Sequence, residues 1–150
     1  MIQIKQGTIN DLNDLLRFQC NMALETESLQ LDEDALSKGI AAVLADSNKG
    51  TYYLAQQQGK NVGCLLVTSE WSEWRNGTVL WIQSVYVHPN FRKQGIYTQL
   101  YQHVKQQVEA CEELKGIRLY ADKTNSVAQQ VYEHLGMNGE HYQLYEWLKG

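Results

Sequence analysis

Residues 84–98 read Ser-Val-Tyr-Val-His-Pro-Asn-Phe-Arg-Lys-Gln-Gly-Ile-Tyr-Thr. An apolar run with strand character ends at Val87, and His88-Pro89-Asn90 supplies a turn. Arg92-Lys93-Gln94-Gly95 follows, and a helix-period pattern begins beyond it. A strand, a glycine-bearing loop and a helix start are how a backbone offers several N–H groups to one anion. The first N–H groups of a helix have no intrahelical partner, and the macrodipole adds partial positive charge there. Gly95 allows close approach of the backbone to a phosphate, and Arg92 and Lys93 add formal charge at the same mouth.

The segment Arg92-Lys93-Gln94-Gly95-Ile96-Tyr97 resembles the Arg/Gln-x-x-Gly-x-Gly/Ala signature of the GNAT acetyltransferase superfamily, with Tyr97 at the last position in place of Gly or Ala. Downstream, Asn125-Ser-Val-Ala128-Gln-Gln-Val-Tyr132-Glu-His-Leu-Gly136-Met137 resembles that family's Asn-x-x-Ala-x-x-x-Tyr-x-x-x-Gly-Phe segment, with Met137 for Phe. The two pieces come in the family's order. The resemblance implies a mixed α/β (α+β) three-layer domain, its central sheet mostly antiparallel with splayed middle strands and helices on both faces. It also implies acetyl-CoA as cosubstrate and direct transfer of the acetyl group to a primary amine. On that reading the backbone of Gln94, Gly95, Ile96, Tyr97 and Thr98 surrounds the pyrophosphate beside Arg92 and Lys93. The peptide groups of Val85, Tyr86 and Val87 pair with the pantetheine amides, like an added strand.

Asn125 suits a helix N-cap, and the resemblance also gives it a contact to the pantetheine arm. Tyr132 lies beside the apolar stripe of its helix, where a core tyrosine is the ordinary reading. By resemblance its hydroxyl is the general acid that protonates the leaving thiolate. A backbone N–H near Tyr86 or Val87 would serve the oxyanion. No family-wide motif marks the base that takes the acceptor's proton; Glu27, Glu70 and Glu73 are the candidates, each also readable as a solvated surface acid. Residues 25–34 hold five acids and no basic residue. Asp32, Glu33 and Asp34 suit a helix N-terminus. Glu25 and Glu27 precede that helix and are freer to face a cationic acceptor.

The rest of the chain sets bounds. Its 150 residues, 43% hydrophobic and 20% charged, suit one globular domain over 1–150. A net charge of −4 argues against a nucleic-acid partner held by bulk electrostatics. No apolar run approaches the ~18 residues of a membrane span, and the start shows no signal peptide, which together point to a cytoplasmic protein. Cys20, Cys64 and Cys111 sit among apolar neighbours and read as reduced core residues, without a His partner for a nucleophile. The four histidines lack metal-ligand spacing, so no metal is expected. Trp81 reads as packed in a strand. Trp71 and Trp74 in a charged loop suit an acceptor pocket, a cation stack or a homodimer contact.

The element order expected is β-α-α-β-β-β-α-β-α-β. Helices start after Thr8 and Asp32, strands cover Thr51–Gln57, Asn61–Ser69, Thr78–Val87 and Ile117–Tyr120, helices cover Tyr97 to about Ala110 and Ser126–Leu135, and a last strand covers Gln143–Leu148. Gly136 is the helix stop. Two rivals to an enzyme share these features: an acyl-CoA sensor without turnover, and an interaction protein that uses the Trp loop. A small-molecule or peptide amine is the acceptor expected of the enzyme.

Overall fold

The computed structural model describes residues 1–121 and 125–150. These fall into two compact units, Met1–Leu119 and Tyr120–Gly150. The first begins with β1 (Ile2–Gln6), a short 3-10 turn (Ile9–Asp11), α1 (Leu12–Glu27) and α2 (Glu33–Ala45). Strands β2 (Thr51–Gln57), β3 (Lys60–Ser72) and β4 (Gly77–Val87) follow, then a 3-10 turn (Pro89–Phe91), α3 (Ile96–Ala110) and β5 (Leu114–Leu119). The sheet order is β1-β2-β3-β4-β5. Every pairing is antiparallel except β4 with β5, which is parallel. No helix of the described residues is long and apolar enough to cross a membrane.

Local chemistry explains the element starts. The Asp11 carboxylate accepts from the Thr8 backbone N–H at 2.8 Å and pairs with Lys5 at 3.0 Å. Burial alone would raise the Asp11 carboxyl, but the Thr8 amide, Lys5 and Asn61 outweigh it and hold the group below its ordinary value. Asp32 caps α2 by accepting from the amides of Asp34 and Ala35. Gln58 and Gly59 both take positive φ, the left-handed pair that a two-residue hairpin turn requires between β2 and β3.

Alternation along the strands divides the core. Tyr52, Leu54, Cys64 and Tyr86 point to one face and pack with Leu15 and Phe18 of α1 and Ile40 of α2. Phe18 is 1% exposed and Leu15 fully buried. On the other face Tyr53 meets α3, stacking edge-on with His103 and hydrogen-bonding Gln107. Helices on both faces of a mainly antiparallel sheet agree with the expected fold class.

The second unit carries α4 (Ser126–His134). Asn125 caps it, its side chain accepting from the Ala128 amide at 3.0 Å. Gly136 stops it at φ 91, with Met137 N–H donating to Tyr132 O. The expected last strand does not form: residues 143–148 have no regular structure, and Tyr145 and Trp147 stand 85% and 87% exposed. Cys111 also departs from expectation, being exposed just beyond α3, whereas Cys64 is buried.

Candidate functional site

The strand that ends at Val87 changes partners along its length. On its β5 side the last paired residue of β4 is Ile82, opposite Leu119. On its β3 side Leu66 faces Ser84 but Val67 faces Ile82, so Gln83 is an extra, bulged residue. Beyond the bulge, residues 84–87 keep β3 as partner through Leu66, Leu65, Cys64 and Gly63 and have no β5 partner. Val85, Tyr86 and Val87 therefore lie beyond the last β4–β5 pairing. Val85 and Val87 are half-buried and Tyr86 is buried.

The loop after β4 carries the anion-site features. Lys93 has φ 64 and Gly95 has φ 79, both left-handed. Gly95 is the N-cap of α3, and the first amide taken up within that helix is that of Gln99, by Gly95 O. A Cβ at Gly95 would meet no atom within 4 Å, so the backbone conformation rather than crowding calls for glycine in the chain by itself. Lys93, Gln94, Gly95 and Thr98 are exposed, whereas Ile96 is buried and anchors the helix start in the core.

Arg92, at the start of this loop, is engaged on two sides. Its Nη2 donates to Glu25 Oε2 at 2.6 Å and its Nε donates to Val87 O at 2.8 Å. The guanidinium lies 5.5 Å from the centre of the Tyr86 ring. The Tyr86 hydroxyl in turn donates to Glu25 Oε1 at 3.4 Å. Burial, then the Glu25 charge, pushes the Tyr86 phenol up. Glu25 is thus engaged rather than turned to an acceptor. Of the other acids in that stretch, Asp32 is taken up as a cap and Asp34 pairs with Lys38 at 3.1 Å. Nearby, the Gln19 amide of α1 donates to Ser84 Oγ at 3.1 Å, tying the helix to the bulged part of β4.

The candidate bases are scattered. Glu27 is exposed at the end of α1, and Glu73 is exposed in the β3–β4 turn. Glu70 on β3 accepts from Trp81 Nε1 at 2.5 Å and from Arg118 Nη1 at 3.1 and 3.2 Å. The Trp81 hydrogen bond first, with Arg118 and the Arg75 charge, holds the Glu70 carboxyl below its ordinary value although desolvation opposes them. Trp71 and Trp74 are 65% and 91% exposed, whereas Trp81 is half-buried. The Cys64 thiol is pushed up to about 12 by burial, which leaves no thiolate there. An open apolar hollow lies between α2 and the sheet, lined by Leu36, Ile40, Tyr52 and Leu66.

Comparison with known proteins agrees with this geometry. The family model described as Acetyltransferase (GNAT) family matches residues 9–137. The chain belongs to the GNAT acetyltransferase family. A possible acetyltransferase from Clostridium difficile 630 shares 40% sequence identity and a TM-score of 0.93, with 99% of this chain and 98% of that one covered. A ribosomal-protein-alanine N-acetyltransferase from Brucella melitensis biovar Abortus 2308 has the same fold at 16% identity, TM-score 0.80, both chains covered in full at 100%. So has an aminoglycoside acetyltransferase from an uncultured soil metagenomic sample, in complex with sisomicin, at 20% identity and TM-score 0.76, with 99% and 97% covered. No curated protein matches the chain. For a GNAT enzyme the bulge at Gln83 and the Arg92–Glu25 pair were the features hidden from sequence reading. Register and a contact 67 residues apart carry no local signal, although alternation already puts Ser84 and Tyr86 on one face.

Proposed function

We propose that this acetyltransferase binds acetyl-CoA and passes the acetyl group directly to the nitrogen of a primary amine, on a small molecule or a peptide. The observation that carries the reading is the left-handed Gly95 at the head of α3, next to a β4 end that has left its β5 neighbour. Amides at a helix N-terminus suit a diphosphate. Peptide groups of a strand end that lies beyond its last β5 pairing suit the two amides of pantetheine. Gln94, Gly95, Ile96, Tyr97 and Thr98 would hold the former, and Val85, Tyr86 and Val87 the latter.

In the transfer, the amine nitrogen bonds to the thioester carbon and the carbon–sulfur bond breaks. The resemblance gives Tyr132 the proton donated to the leaving thiolate. The ammonium proton goes to a base or to water. Glu70 is poorly suited to that task, because Arg118 and Trp81 stabilise its charged form. Glu27 and Glu73 remain the acids in question, for an acceptor amine on a small molecule or a peptide.

The test is thiol release from acetyl-CoA across a panel of amines, polyamines, aminoglycosides and peptides. Release with one acceptor class is expected. In Tyr132→Phe the rate should fall by about 10²-fold or more with acetyl-CoA affinity intact. A chain that binds the thioester but turns over nothing would be a sensor instead. A chain whose stability does not rise by about 2.7 kcal/mol at a hundredfold excess over a plausible dissociation constant would not be an acyl-CoA binder.

A further inference from the structure

We propose that Arg92 is a positioning residue, not a phosphate ligand: a fork that ties the diphosphate loop to the end of α1 and so holds that loop in the shape acetyl-CoA needs. The inference rests on the acetyl-CoA reading above and goes beyond it.

Three segments meet at this one side chain. Nε holds the last carbonyl of β4, Nη2 holds Glu25 in the final turn of α1, and the backbone of Arg92 itself opens the loop that leads to Gly95. Glu25 stands in the wrong place for a carboxylate. The C-terminal turn of a helix carries partial negative charge, and α1 has no basic residue in its last turn. Arg92 therefore supplies from the loop what the helix lacks. Ser28 then takes φ 51 and the α1–α2 connection begins, three residues past Glu25. A guanidinium can bridge a carbonyl and a carboxylate at fixed angles; an ammonium, a single compact charge, cannot span both in the same geometry.

The two roles for Arg92 predict opposite signs. If Arg92 were a phosphate ligand held in reserve by Glu25, Glu25→Gln would release it and tighten acetyl-CoA binding. As a fork, Arg92 loses its anchor in Glu25→Gln and the loop loses its shape, so binding weakens. The experiment is calorimetric titration of acetyl-CoA into the full chain, wild type and the variants Glu25→Gln, Arg92→Lys, Arg92→Gln and Glu25→Gln/Arg92→Lys, followed by KM and kcat with the acceptor found above. The fork predicts about fivefold or greater weakening in Glu25→Gln, and Arg92→Lys as weak as Arg92→Gln despite its retained charge. The double variant should be no worse than Arg92→Lys alone. The loss should appear in KM for acetyl-CoA with kcat little changed.

Tighter binding in Glu25→Gln, or wild-type affinity in Arg92→Lys, overturns the proposal. Glu25 and Arg92 side chains are 39% and 43% exposed, and should Arg92→Gln fail to fold, the sign of the Glu25→Gln effect still decides. A wild-type chain that takes up no acetyl-CoA removes the functional reading and this one together; normal wild-type uptake with the wrong sign in Glu25→Gln removes this one alone.

Discussion

Strand β4 carries two clusters of the same composition, each a glutamate, an aromatic ring and an arginine. Near its start Trp81 meets Glu70 of β3, which Arg118 of β5 also holds. Near its end Tyr86 meets Glu25 of α1, which Arg92 of the following loop also holds. Residues five apart on a regular strand face opposite ways; the bulged Gln83 brings Trp81 and Tyr86 to the same face. The likeness ends there. The first cluster draws its members from three adjacent strands, and its geometry cannot change without breaking the sheet ladder. The second draws them from a helix end, a strand end and a loop, which can move relative to one another at little cost to the ladder. A carboxylate–arginine pair on a sheet is architecture, whereas the same pair between chain ends can report what binds beside it.

The largest expected contrast comes from removing the rings. Tyr86 is 4% exposed and lies in the α1 core, so Tyr86→Ala should cost about 3–5 kcal/mol in urea unfolding. Trp81→Ala, at a half-buried position, should cost clearly less. Equal losses would erase the difference between the clusters.

Gly95→Ala comes next. With no atom in the way of a Cβ, its cost must come from holding alanine at φ 79, about 1–2 kcal/mol. Acetyl-CoA affinity should fall with it, measured by the same titration. Full affinity in a variant that keeps its stability would show that the loop does not need this backbone shape.

The smallest effect is that of Glu70→Gln. Trp81 and Arg118 keep the Glu70 carboxyl below its ordinary value in the folded chain. A lowered folded value stabilises above the ordinary carboxylate range, and that stability is lost as pH falls through the folded value. Glu70→Gln should therefore flatten the acid side of the stability–pH curve and leave acetyl-CoA affinity unchanged. A loss of turnover with a shifted pH–rate profile would instead return Glu70 to the list of bases.

Much of the fold was legible. The caps at Asp32 and Asn125 and the stop at Gly136 are local devices, and each stands where its residues put it. The loop at Gly95 was legible for the same reason. The last strand was misread because Gln143–Leu148 has strand composition, while a strand is made by its neighbour. The Arg92–Glu25 contact was not legible because charge near a loop does not tell which way a guanidinium turns.

What the sequence determined by itself is therefore short-range: which residues cap, turn or alternate, and that a helix starts behind a glycine after an apolar strand. These follow from backbone preferences and hydrogen bonds within a few residues. Only the tertiary structure decided that β4 bulges at Gln83 and parts from β5 after Ile82, that Glu70 is tied to Arg118, and that Arg92 reaches back to Glu25. Those depend on register and on contacts across dozens of residues, where the energy of a pairing is set by which atoms the packed sheet and helices bring within reach.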